Sequence, residues 1–295
     1  MSDAAHHCGH VAIVGRPSVG KSTLVNRLVG QKLTITSSKP QTTRHRIVGI
    51  LTEPGRQFVF VDTPGFQTLR RSRLNERMNR TVVDSLAGVD VAVLVVDGGR
   101  LTQADRNVAA LLPVGLPVVV AVNKVDTLAD KKVLLPVMAE IASLREFAAI
   151  VPVSAEKGTQ VEALKEEVGR LLPEAPAMYG ADELTDRDER FLAAEFIREK
   201  IFRLLGDEVP YATAVGIDRF ELDGPVRRIF ASVYVDKASQ RAIMLGTGGE
   251  RMKSIGVKAR RDLEALFGGP VYLELWVKVR KGWADDDAAL RQLGL

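Results

Sequence analysis

Among 295 residues there is one cysteine, Cys8. A disulfide within the chain is therefore excluded, and a reducing, cytoplasmic setting is the expected one. Long hydrophobic runs are missing too. No stretch reaches the roughly 18 uncharged apolar residues that a membrane helix needs. Residues 111–122 come nearest, and Pro113, Gly115 and Pro117 interrupt them. The first residues have neither a positive charge nor an apolar run after it, so no secretory signal is expected. Internal repeats and low-complexity tracts are also absent. What is present is ordinary for a folded chain with a sizeable core: 46% hydrophobic and 26% charged residues. The length suggests two domains.

Net charge is +4, and it is unevenly spread. Residues 237–281 hold ten Lys and Arg against four Asp and Glu, which exceeds the excess of the whole chain. Such a patch is either a solvated surface or the footprint of a polyanion, nucleic acid above all.

Short Val- and Ile-rich runs alternate with helical stretches up to residue 172. "HVAIV" (10–14), "FVFV" (58–61), "VDVAVLVV" (89–96), "PVVVAV" (117–122) and "AAIVP" (148–152) read as buried strands. Strands apolar on both faces imply a mostly parallel sheet between two helical layers. "RIVGIL" (46–51), before a Pro54-Gly55 turn, reads as an antiparallel edge hairpin with "FVFV". "PEAPAMYGADE" (173–183) reads as a linker, giving expected boundaries of 1–172, 173–186 and 187–295. Then come a helix with Phe191, Ala194, Ile197, Ile201 and Leu204 on one face, two strands, a short helix, a glycine-rich turn, a basic helix, a third strand and a short C-terminal helix.

"GRPSVGKST" (15–23) carries Gly15, Gly20, Lys21 and Ser22 in the pattern G-x-x-x-x-G-K-S, between a strand and a helix. Backbone N–H groups, among them those of Val19 and Thr23, would turn toward phosphates at the helix N-terminus. Lys21 would neutralise the β- and γ-phosphates, and Ser22 would hold Mg²⁺. "NKVD" (123–126) follows a strand end. The Asp126 carboxylate can accept from guanine N1–H and the 2-amino group, which adenine lacks as a pair. Two such bonds, at about 1.5–3 kcal/mol each, discriminate by roughly 10²–10⁴. Lys124 would lay its stem over the base, and Asn123 would tie loops together. In "SAEKG" (154–158), after the next strand, a backbone N–H at Ser154 or Ala155 would meet guanine O6. In "DTPG" (62–65), Asp62 would serve Mg²⁺, and the Gly65 N–H would meet the γ-phosphate until hydrolysis releases it. In "KPQTTRHR" (39–46), Thr42 or Thr43 would complete the Mg²⁺ shell, Thr43 slightly preferred. Arg44 could touch a phosphate, although a solvated switch residue is the simpler expectation.

These five motifs, each at a strand end, resemble the GTPase superfamily over about residues 11–172. The resemblance implies a Mg·GTP switch with slow hydrolysis in which Lys21, Thr43 and Gly65 act on the reacting phosphate. Two departures stand out. Phe66 occupies the position of the glutamine that orients water in signalling GTPases, so another group must do this. Ser18 stands where many ribosome-assembly GTPases use Asn to coordinate K⁺, which leaves a K⁺ contact to a hydroxyl.

"LGTGGERMKSIG" (245–256) holds a second glycine turn, without the Lys-Ser pair. Gly246, Thr247, Gly248 and Gly249 match the G-x-x-G turn of KH domains, where glycines let a single-stranded sugar–phosphate backbone come close. Arg251, Lys253, Lys258, Arg260 and Arg261 follow it as candidate phosphate contacts. Thr247, where Lys or Asn is frequent, weakens that contact by about 1 kcal/mol. The order α-β-β-α-α-β fits a type II KH domain, an α+β fold.

A P-loop GTPase domain followed by a type II KH domain resembles the bacterial Era family of ribosome-assembly GTPases. "QTTRHRIVGI", "TDRDERFLAAEFIREKIFRLLGDEVPY" and "LELWVKVRKGWADDDAALRQLG" carry the resemblance over nearly the whole chain. It implies GTP and GDP as ligands and a monomer bound to the single-stranded 3′ end of small-subunit ribosomal RNA on the 30S subunit. It also implies a cytoplasmic location with peripheral membrane association. The competing readings are an RNA-binding module that keeps GTP as a structural ligand, and a P-loop enzyme whose C-terminal part binds protein. "HHCGH" (6–10) could pass for a metal cluster but is terminal and lacks a second group of ligands. Trp276, mid-strand, is expected in the core, and Trp283 is evenly balanced between core packing and base stacking.

Overall fold

The computed structural model describes residues 6–37, 39, 42–66, 73–206, 209–283 and 286. Two compact units result, their main division falling between Asp186 and Arg187. The expected C-terminal helix, Gln41 of the switch stretch, and Asp207 and Glu208 of the family stretch lie outside the described residues.

The N-terminal unit runs β1 (His7–Val14), α1 (Lys21–Val29), β2 (Ile47–Glu53), β3 (Arg56–Asp62), α2 (Arg73–Asp84), β4 (Val91–Asp97), α3 (Gln103–Leu111), β5 (Val118–Asn123), α4 (Leu134–Ala142), β6 (Ala149–Pro152) and α5 (Val161–Gly169). Its six strands order β2-β3-β1-β4-β5-β6, and every pair is parallel except the β2–β3 hairpin. Alternation explains the apolar runs. Val11, Ile13, Val93, Val95 and Val119 enter one core with α1 and α5. Ala12, Val14, Leu94, Val96 and Val120 enter the other, with Val82, Val108 and Ile141. Adjacent residues thus serve opposite layers, and a strand between two helical layers has no solvent side.

The hairpin has a face that neither of these cores covers. There Cys8, Val48, Ile50, Val59 and Val61 pack with Ala175 and Tyr179 of the expected linker. That segment is tied down by backbone bonds: Cys8 N–H to Pro173 O, Ala175 N–H to His6 O, and Ile50 N–H to Leu184 O. Gln57 of β3, fully buried, is the anchor. Its Oε1 accepts from the Met178 and Tyr179 amides at 2.8 and 3.0 Å. Its Nε2 donates to Tyr179 O and Thr52 Oγ1, both at 2.9 Å. Two of the three histidines of "HHCGH" bond to the same segment and the residue just before it: the Nδ1 atoms of His6 and His7 pair with the carbonyls of Ala175 and Leu172.

The C-terminal unit runs α6 (Glu189–Leu204), β7 (Thr213–Asp223), β8 (Val226–Val235), α7 (Ala238–Leu245), α8 (Glu250–Phe267) and β9 (Val271–Val279). β8 lies between antiparallel β7 and parallel β9. This is the α+β, type II KH arrangement. The core joins Ile197 and Ile201 of α6, Met244 of α7, Met252, Ile255 and Ala259 of α8, and Ala231 and Val233 of β8.

Two expectations, for Trp276 and α6, are corrected, and one open alternative, for Trp283, is resolved. Trp276 is not in the core but 56% exposed. Leu273, Leu275 and Val277 of β9 point to the helices, so the period of two sends Trp276 to the sheet's opposite face. Trp283, left undecided, is fully buried. α6, expected to bury one face, is buried from Glu195 through Phe202. Its charges are absorbed by pairing: Arg198 with Glu195 at 2.6 Å, and Lys200 with Glu199 at 3.0 Å and with Asp262.

Replacing Gln57 by Leu keeps the volume but strands two amides and a carbonyl. The expected loss is about 2–4 kcal/mol in urea unfolding, with faster proteolytic cleavage within residues 176–183. Unchanged stability and cleavage would refute the anchoring role.

Candidate functional site

The turn after β1 wraps tightly. Gly15 has φ 156° and Gly20 φ 99°, and a Cβ on either would strike Val95 O at 2.4 Å or Asn123 Nδ2 at 2.3 Å. Ser18 also has a positive φ, 63°, uncommon for a residue with a side chain. α1 then begins at Lys21 with no acidic residue in its first turn, so its N-terminal partial positive charge faces the loop. Lys21 is buried and donates from Nζ to the Gly15 and Arg16 carbonyls, both at 3.0 Å.

Three oxygens converge beside it. Ser22 Oγ lies 2.8 Å from Thr43 Oγ1, which lies 3.5 Å from Asp62 Oδ2. Thr42 instead donates to Lys39 O at 2.6 Å. Of the two threonines, Thr43 is thus the one whose hydroxyl reaches the carboxylate. Asp62 Oδ1 is buried without a hydrogen-bond partner. A hard cation suits such an orphaned carboxylate oxygen next to two hydroxyls, so the donor set fits Mg²⁺. Burial holds Lys21 down at about 8, although Asp62 pulls it upward, and burial pushes Asp62 up to about 6 against the pull of Lys21. Arg44, expected to be solvated, is 4% exposed, because the stretch that brings Thr43 to Ser22 carries it inward.

Gly65 is pressed on the phosphate loop: a Cβ there would meet Pro17 Cα at 2.7 Å. Phe66 is partly buried against the core that holds Val14, Leu94 and Val120, and its ring has no group to orient a water. Asn123 donates from Nδ2 to Val19 O at 2.8 Å and accepts the Ala155 amide on Oδ1 at 2.9 Å. Lys124 has φ 68° and donates to Asp97 Oδ2 at 3.0 Å, while Asp126 is exposed. Ser154 Oγ accepts from the Lys157 amide at 3.0 Å, closing that loop. Sequence reasoning missed Arg27, whose guanidinium holds Ala155 O and Glu156 O, and the acids Asp97 and Asp105 beside Arg16. No motif marks them, since each acts through a tertiary contact.

The second glycine turn lies in the other unit. α7 ends at Gly246 (φ 71°), Gly248 and Gly249 have φ 59° and 81°, and α8 starts at Glu250. Nothing lies within 4 Å of a Cβ built on Gly248 or Gly249. Thr247, Lys253, Lys258, Arg260 and Arg261 are exposed. Arg251, expected to face phosphates, donates to Ile243 O at 2.6 Å and so closes the end of α7. Ile243 and Val257, absent from the expected set, are exposed apolar residues on α7 and α8.

Comparison with known proteins agrees with both units. Residues 10–124 match the family described as "50S ribosome-binding GTPase", and residues 208–284 match the KH domain. GTPase Era of Nitrosomonas eutropha is 52% identical over 294 residues, covering 100% of this chain and 99% of the relative. GTPase Era of Chromobacterium violaceum is 52% identical, covering 100% of both. A crystal structure of Era in complex with MgGDPNP and nucleotides 1506–1542 of 16S ribosomal RNA superposes with a TM-score of 0.94 at 37% identity, covering 98% of this chain and 99% of that one. An Aquifex aeolicus Era variant bound to GDP·AlF4⁻ gives 0.93 at 37% identity, with the same coverage. From phosphate loop to KH turn, over its whole length, this chain is a GTPase of the Era family.

Proposed function

We propose that the chain binds Mg·GTP through its N-terminal unit, hydrolyses it slowly, and grips the 3′ end of 16S ribosomal RNA through the KH turn during assembly of the 30S subunit. The observation that carries the nucleotide half is the convergence of Ser22, Thr43 and the orphaned Asp62 oxygen beside buried Lys21. For the RNA half it is the open space around Gly248 and Gly249, followed along α8 by exposed Lys253, Lys258 and Arg261, together with the 16S RNA bound by the related Era.

Ser22, Thr43 and Asp62 would hold Mg²⁺, which when bound neutralises charge on the β- and γ-phosphates. Lys21 leaves its two carbonyls for the same phosphates, at the N-terminus of α1. Gly65 presents its amide from the opposite side. Ser18 offers a hydroxyl to a monovalent cation such as K⁺. Asp126 reads the guanine edge and Lys124 covers the base. Nucleotide state, sensed at Thr43 and Gly65, couples to RNA grip provided the two states bind RNA differently. Cytoplasmic residence, a monomeric state and peripheral membrane association belong to the same reading. No helix among the described residues is long and apolar enough to cross a membrane.

Three outcomes test this. With Lys21 at about 8, roughly half of it is neutral at pH 8, and phosphates charge it fully. GDP binding without magnesium should therefore be accompanied by more proton uptake at pH 8 than at pH 7. Calorimetry in buffers of different ionisation heat reads this directly, and an equal uptake at both pH values would contradict it. Asp126→Asn should move preference from GTP toward xanthosine triphosphate by about 10²-fold or more; retained GTP preference sinks the base assignment. GTP turnover should rise with an RNA copying the 16S 3′ tail and not with a scrambled RNA. Gly248→Asp meets no neighbouring atom and costs only the roughly 1–2 kcal/mol of a left-handed φ, so it should stay folded with slightly lower stability yet lose that RNA response and about tenfold or more in RNA affinity. Full RNA binding by this variant would remove the KH turn from the function.

A further inference from the structure

We infer that Asp97, at the C-terminal end of β4, is a positioning residue for guanine nucleotide: it holds Lys124 in the pose that covers the base and ties that pose to the phosphate loop through Arg16. The inference deepens the proposed function and rests on its assignment of Lys124 to the base.

Asp97 Oδ2 accepts Lys124 Nζ at 3.0 Å, and Arg16 Nη2 lies 3.8 Å from the same oxygen. Its other oxygen accepts the Gly99 amide at 3.0 Å. The carboxylate is itself fixed. Asp97 pairs with Asn123 across β4 and β5, and Gly98 N–H donates to Asn123 O at 2.7 Å. Burial pushes Asp97 up, but the Gly99 amide, Lys124 and Arg16 outweigh it and leave its carboxyl below the usual range. Asp97 thus stays charged at neutral pH.

Arg16 extends the chain of contacts. Its Nε lies 3.1 Å from Asp105, whose side chain is fully buried and which closes a capping box with Thr102 at the start of α3. The Arg16 carbonyl accepts Lys21 Nζ. One residue therefore touches the base-side lysine's anchor through its guanidinium and the phosphate-side lysine through its backbone.

A lysine stem is long and mobile, and a base gains from it only when it is held flat. Lys124 already sits in an uncommon backbone conformation, φ 68°, which aims the side chain. Pinning the ammonium at Asp97 orders the remaining torsions before the nucleotide arrives, which lowers the ordering cost of binding. The effect belongs to nucleotide affinity and not to the chemical step, because Asp97 spends its oxygens on Lys124, Arg16 and the Gly99 amide, while the Ser22, Thr43 and Asp62 oxygens form a separate cluster.

The test is a double-mutant cycle on the full chain, with GDP affinity read by a fluorescent GDP analogue and GTP turnover read in parallel. Asp97→Asn removes the charge at nearly constant shape. It should weaken GDP binding about five- to thirty-fold and raise KM for GTP by the same factor, with kcat within about twofold. In a Lys124→Ala background the same substitution should add almost nothing, since its target is gone. A folded Asp97→Asn protein with wild-type affinity overturns the proposal. So does an equal effect in both backgrounds, or a fall confined to kcat. Should Asp97→Asn fail to fold, Asp97→Glu enters the same cycle, and its smaller weakening must also vanish beside Lys124→Ala. Wild-type protein that binds no guanine nucleotide overturns the functional reading itself, whatever the variants do.

Discussion

One buried amide holds the nucleotide site together. Asn123 ends β5, and from there its two side-chain atoms reach the loop after β1 at Val19 and the loop after β6 at Ala155. Three strand ends thereby meet at the carboxyl edge of the sheet, where doubly wound folds place their ligands. The amide can sit there because residue 20 is glycine; any side chain would displace it. Gly20 in turn has a left-handed φ that turns the chain into α1 with Lys21 first in line. The identity of residue 123 and the absence of a side chain at residue 20 are one constraint seen from two sides.

Around that staple the protein keeps groups in conditions they resist. Lys21 and Asp62 are buried with their pKa values driven toward each other, to about 8 and about 6. Asp62, raised, favours the fold only below its ordinary value, and that contribution is gone once pH passes about 6. Lys21, depressed, favours it only above its ordinary value, and that contribution is lost as pH falls through about 8. Near neutrality neither contribution is present in full. Lys124 and Ser18 add backbone conformations that side chains disfavour. A ligand bearing phosphates and a cation relieves the electrostatic part of this, so binding and stability are linked.

What the sequence made legible follows from how far each signal reaches along the chain. The phosphate loop, "DTPG", "NKVD" and "SAEKG" are short, and each lies at a strand end that its apolar run announces. Whether Thr42 or Thr43 turns inward was open, because the answer lies in Ser22 and Asp62, at least 19 residues away. Asp97, Asp105 and Arg27 carried no local mark for the same reason. Trp276 was misplaced because an apolar strand looks the same whether its sheet is covered on one face or on two; the three-stranded sheet has its helices on one. Segment 173–183, rich in Pro, Gly and acid, read as a linker, yet the uncovered face of the edge hairpin gives it a surface to bury. Composition reports how a segment would behave alone, and Gln57 supplies what is not local.

The two glycine loops answer different demands, and the geometry separates them. At Gly15 and Gly20 a Cβ would collide with the protein's own atoms, at 2.4 and 2.3 Å. That loop is shaped by internal contacts, and its ligand meets a surface already formed. At Gly248 and Gly249 the φ values are positive but the space beyond is open. Glycine there serves the turn between α7 and α8 and leaves bare backbone facing outward. The first loop fits a compact phosphate chain held by many inward amides. The second fits a polymer that must pass by, close to the backbone and free to continue on both sides. A chain with only the first arrangement could sense a nucleotide, and one with only the second could hold a strand. Having both puts a formed pocket for a nucleotide and an open turn for a strand in one chain.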